Sequence, residues 1–122
     1  SVHSNRIPVS GDITHRQYYP GRFFNAELDK ASQENERCAI SIHTDNGFDV
    51  SCVQIAGLVA RRILTYVKVG DPVHHGQRFG FIRFGSRVDL FLPPQSRVVA
   101  GLGKWVLSGS DIIAYLPALD KP

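Results

Sequence analysis

At 122 residues the chain is long enough to bury a genuine core as one domain, without disulfide or metal staples. Hydrophobic content of 43% and charged content of 20% are those of a soluble globular protein. A net charge of +3 and a pI near 9.1 permit an anionic partner such as a phosphate head group or a membrane surface, and no nucleic-acid partner is expected. No apolar run approaches the roughly 18 residues of a membrane span, and no signal peptide is visible. The chain starts at Ser1 without a methionine, as expected of a trimmed chain or the later part of a longer product.

Strand signals dominate and helical periodicity is scarce. Ser10-Gly11 and Pro20-Gly21 punctuate the N-terminal third, and the polar segment from Asn25 to Asn35 reads as a loop or a short helical turn. Asp45-Asn46-Gly47 joins an alternating run bearing Ile40 and Ile42 to another bearing Phe48, Val50 and Cys52, which predicts a hairpin. Cys38 and Cys52 lie in apolar surroundings with no C-x-x-C spacing, so buried free thiols are expected. Arg61-Arg62 follows an apolar run and reads as a strand end.

The last third carries an internal repeat. Val67 to Ile82 aligns without gaps on Ala100 to Tyr115, matching Gly70 and Gly76 to Gly103 and Gly109, and Val73 to Val106. Each unit reads as strand, glycine turn, linker, glycine turn, strand, because glycine supplies the positive φ that such turns demand. The fold class expected is all-β, a barrel-sandwich-hybrid-like pair of sheets with little helix. Between the units lies "RFGSRVDLFLP", Arg83 to Pro93, predicted as a buried strand alternating Val88, Leu90 and Leu92 against Arg87, Asp89 and Phe91. A lipoyl- or biotinyl-carrier reading fails here, since the centre holds Gly85-Ser86 instead of a modifiable lysine and the chain contains no methionine.

A Gly-Ser bond between two β-units can rearrange. The serine hydroxyl attacks the preceding carbonyl, which glycine leaves open, and the amide becomes an ester. Elimination and hydrolysis then leave a pyruvoyl group, an electrophile able to act as an electron sink on an amine substrate. A Gly-Ser pair alone is commonly a turn, and Gly109-Ser110 is another. Adjacent His74 and His75 point apart and do not share a ligand face, so no metal is expected, and His15 and His43 lack convergent partners in the sequence.

The setting of Gly85-Ser86 is more specific. "SVHSNRIPVSG", "YYPGRFFNAELDKASQENER", "VQIAGLVARRI" and "VKVGDPVHHGQRFGFIRFGSRVDLFLP" together resemble the short bacterial and archaeal form of the phosphatidylserine decarboxylase family. The resemblance implies a proenzyme of one domain, residues 1–122, cleaved between Gly85 and Ser86. Residues 1–85 become the β chain and 86–122 the α chain, which stay partners. Ser86 becomes a covalent pyruvoyl cofactor, with no pyridoxal phosphate. The group takes the amine of phosphatidylserine, carbon dioxide leaves, and phosphatidylethanolamine is released. His3 matches the family's acid/base histidine, a role suited to imidazole near neutral pH. Arg61 and Arg62 match its "ARR" and are expected to meet the lipid phosphate, with Asn5 a further substrate-binding candidate. Glu34, Asn35, Glu36 and Arg37 match its "ENER" and are expected to form a polar network at the site.

The resemblance further implies work at the cytoplasmic face of the cell membrane, against phosphatidylserine and other anionic lipid, and leaves homo-oligomerisation open. Exposed aromatics at Tyr18-Tyr19 and Phe23-Phe24 would suit a lipid, and core packing would suit them equally. The family's hydrophobic anchor and "ADG" motif do not occur in these residues, and Ser1 stands where aspartate usually precedes the Val-His pair. Two alternatives keep the fold: an unprocessed, non-catalytic lipid-binding or structural relative, and a pyruvoyl decarboxylase of another amine.

Overall fold

Strand-forming residues alternate with turn residues through most of the chain, and the computed structural model correspondingly has strands as its main regular element, with one short helix among the described residues. It describes residues 2–59, 62–83, 86–98 and 114–116. The elements are β1 (Val2–Arg6), β2 (Gly11–Tyr19), α1 (Ala31–Glu34), β3 (Arg37–Thr44), β4 (Asp49–Ile55), β5 (Ile63–Thr65), β6 (Pro72–Val73), β7 (Arg78–Arg83), β8 (Arg87–Phe91), β9 (Arg97–Val98) and β10 (Ala114–Tyr115). They form a five-stranded sheet ordered β6-β2-β3-β4-β8, a three-stranded sheet ordered β1-β7-β5, and a β9–β10 pair, all antiparallel. The all-β, two-sheet expectation is borne out.

The predicted hairpin is β3–β4, with Ile42 opposite Val50 and Ile40 opposite Cys52. Period-two alternation puts Cys38, Ile40, Ile42, Val50 and Cys52 on the inner side, all buried. Both thiols are free, and burial pushes the Cys52 thiol up to about 12. Ile7, Ile13, Val67, Val73 and Phe79 complete the core cluster with Ile40, Ile42 and Cys52. The polar stretch from Asn25 to Asn35 does contain one short helical turn, α1.

In the first repeat unit, Gly70 and Gly76 take φ of 94° and 83°, a region that side-chain-bearing residues rarely enter, at turns on either side of β6. Most of the second unit lies outside the described residues, apart from β10 at its end.

The reading of residues 83–93 needs correction. Among the described residues β8 pairs with β4 only, at the edge of the five-stranded sheet. Val88 and Phe91 are exposed and Leu90 is half-buried against the core, so β8 is an edge strand and not a buried one.

Candidate functional site

β7 is the middle strand of the three-stranded sheet, and its C-terminal end runs toward Gly85-Ser86. Its register sets what surrounds that end. His3 of β1 pairs with Ile82 on one side, and Ile63 of β5 pairs with Ile82 on the other. Val2 pairs with Arg83, one step nearer the Gly-Ser bond. Arg62, exposed, directly precedes β5 at the same end. Beyond the bond, Ser86 is half-buried and β8 opens with Arg87 opposite Ile55. Ser86 therefore lies where the chain leaves one sheet for the other. Gly85 and Arg61 lie outside the described residues.

One step deeper, a polar tie joins the sheets. Asn5, Gly80 and Thr65 form one row across β1, β7 and β5. Gln54 reaches this row from β4 of the other sheet and is fully buried. Its Nε2 donates to Asn5 Oδ1 at 2.8 Å and to the Leu64 carbonyl at 3.2 Å, while Thr65 Oγ1 donates to its Oε1 at 2.6 Å. Glycine at 80 makes room, since a Cβ there would run into the Leu64 carbonyl and come within 2.8 Å of Gln54 Nε2. Asn5 is thus engaged inside the fold through its Oδ1.

The "ENER" segment supports the opposite flank. Asn35 is fully buried; its Nδ2 donates to the carbonyls of Phe24 and Ala56, each at 2.8 Å, and its Oδ1 accepts from the Phe24 amide at 3.0 Å. The Ala56 amide donates to the Glu36 carbonyl at 3.0 Å. Ala56 follows Ile55, the rung opposite Arg87, so this network fixes the backbone beside Ser86. Arg37 donates to the Asn35 carbonyl at 3.0 Å and lies over the Tyr19 ring at 4.3 Å. Tyr18 donates to Glu36 Oε1 at 2.7 Å, and that bond to a carboxylate raises the phenol above its usual pKa.

Other singled-out side chains fall elsewhere. Tyr18 and Tyr19 are exposed, whereas Phe23 and Phe24 are half-buried, with Lys30 Nζ 3.9 Å from the Phe24 ring. His74 and His75 are exposed on the turn after β6, and His43 pairs with Asp49 across the hairpin at 2.9 Å. Among the described residues, no group of three or more His, Cys, Asp or Glu is placed to hold a metal ion. Nor is any helix among them long and apolar enough to cross a membrane.

The sequence reading missed two residues, Gln54 and Arg87. Arg87 donates from Nη1 to the Ala26 carbonyl at 2.6 Å and from Nη2 to Asp89 Oδ2 at 3.1 Å, with its Nε 2.8 Å from Asp89 Oδ1. The only sequence signal was the i, i+2 spacing of opposite charges on a strand, which puts both on one face.

The sequence model of the family described as phosphatidylserine decarboxylase matches residues 1–114. The chain belongs to this family. It is 57% identical over 117 residues to the phosphatidylserine decarboxylase proenzyme of Aromatoleum aromaticum, covering 96% of this chain and 54% of the relative. Identity to the proenzymes of Burkholderia pseudomallei and Burkholderia multivorans is also 57%, over 117 and 116 residues. The chain spans about half the length of these curated relatives, 54% in each case. No solved structure matches it. The end of β7 is flanked by Val2 and His3 of the "VH" segment and by Arg62 of the "ARR" segment.

Proposed function

We propose that this chain carries the self-processing and catalytic centre of a pyruvoyl-dependent phosphatidylserine decarboxylase, cleaved between Gly85 and Ser86. The observation that carries the reading is the register. His3 pairs with Ile82 on the strand that runs into the Gly-Ser bond, and Arg62 stands at the same end. Residues far apart in the chain thus gather at one bond. Half-burial of Ser86 suits a group that water must reach, once to form the ketone and again in each turnover to release the amine product.

In the cleavage, Ser86 Oγ bonds to the Gly85 carbonyl carbon and the C–N bond breaks, moving the acyl group from nitrogen to oxygen. Loss of the Ser86 Cα proton expels Gly85 as a carboxylate, and one water then replaces the nitrogen, which leaves as ammonia. The ketone left on residue 86 supplies an electron sink for decarboxylation of phosphatidylserine. His3 would move protons in both phases, and Arg61 and Arg62 would hold the lipid phosphate. The Asn5–Gln54 bond would keep β1, and with it His3, in register.

The reading extends to the membrane. Leu58 and Val59, in the connection before β5, are 55% and 78% exposed, and Arg62 follows within about 11 Å of extended chain. Apolar side chains beside a cation suit the surface of an anionic bilayer, here the cytoplasmic face.

Intact mass on incubation tests the proposal. The expected result is two fragments, 1–85 and 86–122, the second lighter by one ammonia than its serine-started form. Ser86→Ala should leave the chain whole and inactive in carbon dioxide release from phosphatidylserine. His3→Ala should slow cleavage by about 100-fold or more. A chain that stays whole, or Ser86→Ala enzyme that still releases carbon dioxide, overturns the proposal.

A further inference from the structure

If the Gly85–Ser86 bond is broken, β8 begins one residue after a new chain end. Such ends fray unless something ties them down. Among the described residues β8 is an edge strand with a ladder on one side, ending at the Arg87–Ile55 rung. The side chain at that rung reaches groups on both sides of the Gly-Ser bond. Arg87 Nη1 donates to the carbonyls of Ala26 at 2.6 Å and Leu28 at 3.3 Å, Nη2 donates to Asp89 Oδ2 at 3.1 Å, and Nε lies within ion-pair distance of Asp89 Oδ1, 2.8 Å away, without a hydrogen bond of its own. Arg87 and Asp89 side chains are each only 27% exposed, and Ala26 is buried. The fork thus links the segment after the Gly-Ser bond to a loop before it, next to residue 86.

We infer that Arg87 is a positioning residue of the mature enzyme: it holds the residue-86 group in place once the chain is cut, and is dispensable for the cut itself. The inference rests on the self-processing reading above. Before cleavage, chain continuity to β7 and the β4 ladder both restrain Ser86, so losing the fork changes little. After cleavage that continuity is gone, and among the described residues the ladder, Leu90 against the core and the fork remain, the fork being the tie nearest residue 86. Lysine cannot replace it, because a single ammonium does not present the planar set of donors that meets two carbonyls and a carboxylate together.

The test uses the full-length protein with Arg87→Ala, Arg87→Lys and Asp89→Asn. Intact mass should show cleavage within about threefold of the wild-type rate, while kcat for phosphatidylserine falls about 10- to 100-fold at little-changed KM, as expected of a misplaced reacting group. Asp89→Asn, which keeps the Ala26 and Leu28 contacts, should fold normally and lose less than Arg87→Ala. Hydrogen exchange gives an independent readout. In a Ser86→Ala background, where the chain stays whole, Arg87→Ala should leave β8 amide protection nearly unchanged, whereas in cleaved protein protection should drop about tenfold or more. Cleaved variants turning over at wild-type rate, or cleavage lost together with activity, overturn the inference alone. Wild-type protein that stays whole overturns the self-processing reading and the inference with it.

Discussion

Gly80→Ala probes the contact between the two sheets. The added methyl would overlap the Leu64 carbonyl, a backbone group of the neighbouring strand, and sit 2.8 Å from Gln54 Nε2. Neither is a flexible tip free to swing away. Gln54 is fully buried and bonded to Asn5, Leu64 and Thr65, and Leu64 is held by its pairing with Phe81. Relief requires β5 to move away from β7, or Gln54 to withdraw. Overpacking of this kind costs about 1–3 kcal/mol, and leaving a buried amide unpaired adds about 1–3 kcal/mol. The expected loss is therefore about 2–6 kcal/mol, a large share of a small domain's stability. Urea denaturation followed by tryptophan fluorescence or circular dichroism measures it. In a Gln54→Ala background Gly80→Ala should remain destabilising, because the Leu64 carbonyl is still in the way. A loss under about 1 kcal/mol in the wild-type background would refute the close approach as the reason for glycine.

Asn35→Ala removes three hydrogen bonds at a fully buried position and leaves the Phe24 and Ala56 groups without those partners. The expected loss is about 3 kcal/mol by denaturant titration, at about 1 kcal/mol per bond. The Cys52 thiol, pushed up to about 12 by burial, gives an alkaline signature. Its folded pKa is raised above the unfolded value, so the stabilisation is fully present below about pH 8.5 and is lost as pH climbs toward 12. Between pH 9 and 11 wild-type stability should fall about 1.4 kcal/mol per unit more steeply than that of Cys52→Ala, on the same titration; equal slopes would contradict the burial.

Local chemistry made the β3–β4 hairpin legible, because alternation and an Asn-Gly turn act within a few residues. The same alternation in residues 87–92 misled. Period two says which residues share a face, but strand neighbours decide whether that face is covered, and among the described residues β8 has a neighbour on one side only. Gln54 gave no signal, since its partners lie on β1 and β5 and only the register brings them to it. The candidate site was legible through resemblance to the family. Periodicity could place neither His3 beside Ile82 nor Arg87 against Ala26, because both contacts join segments far apart in the chain.

The position of the Gly-Ser bond explains how a chain could be cut there and stay folded. Among the described residues, every member of the buried core cluster, from Ile7 to Phe79, lies before the bond, and Leu90 packs against it from beyond. All of the three-stranded sheet, and β6, β2, β3 and β4 of the five-stranded one, also lie before it. A cut between residues 85 and 86 therefore leaves the described core cluster within one fragment. What it releases is an edge strand, held by its rungs to β4, by Leu90 and by the Arg87 fork. A bond within β3 or β4 could not be broken on these terms, since both fragments would then share the core. The bond sits at the first crossover between sheets that follows completion of that core, where the backbone has the least to lose by being opened.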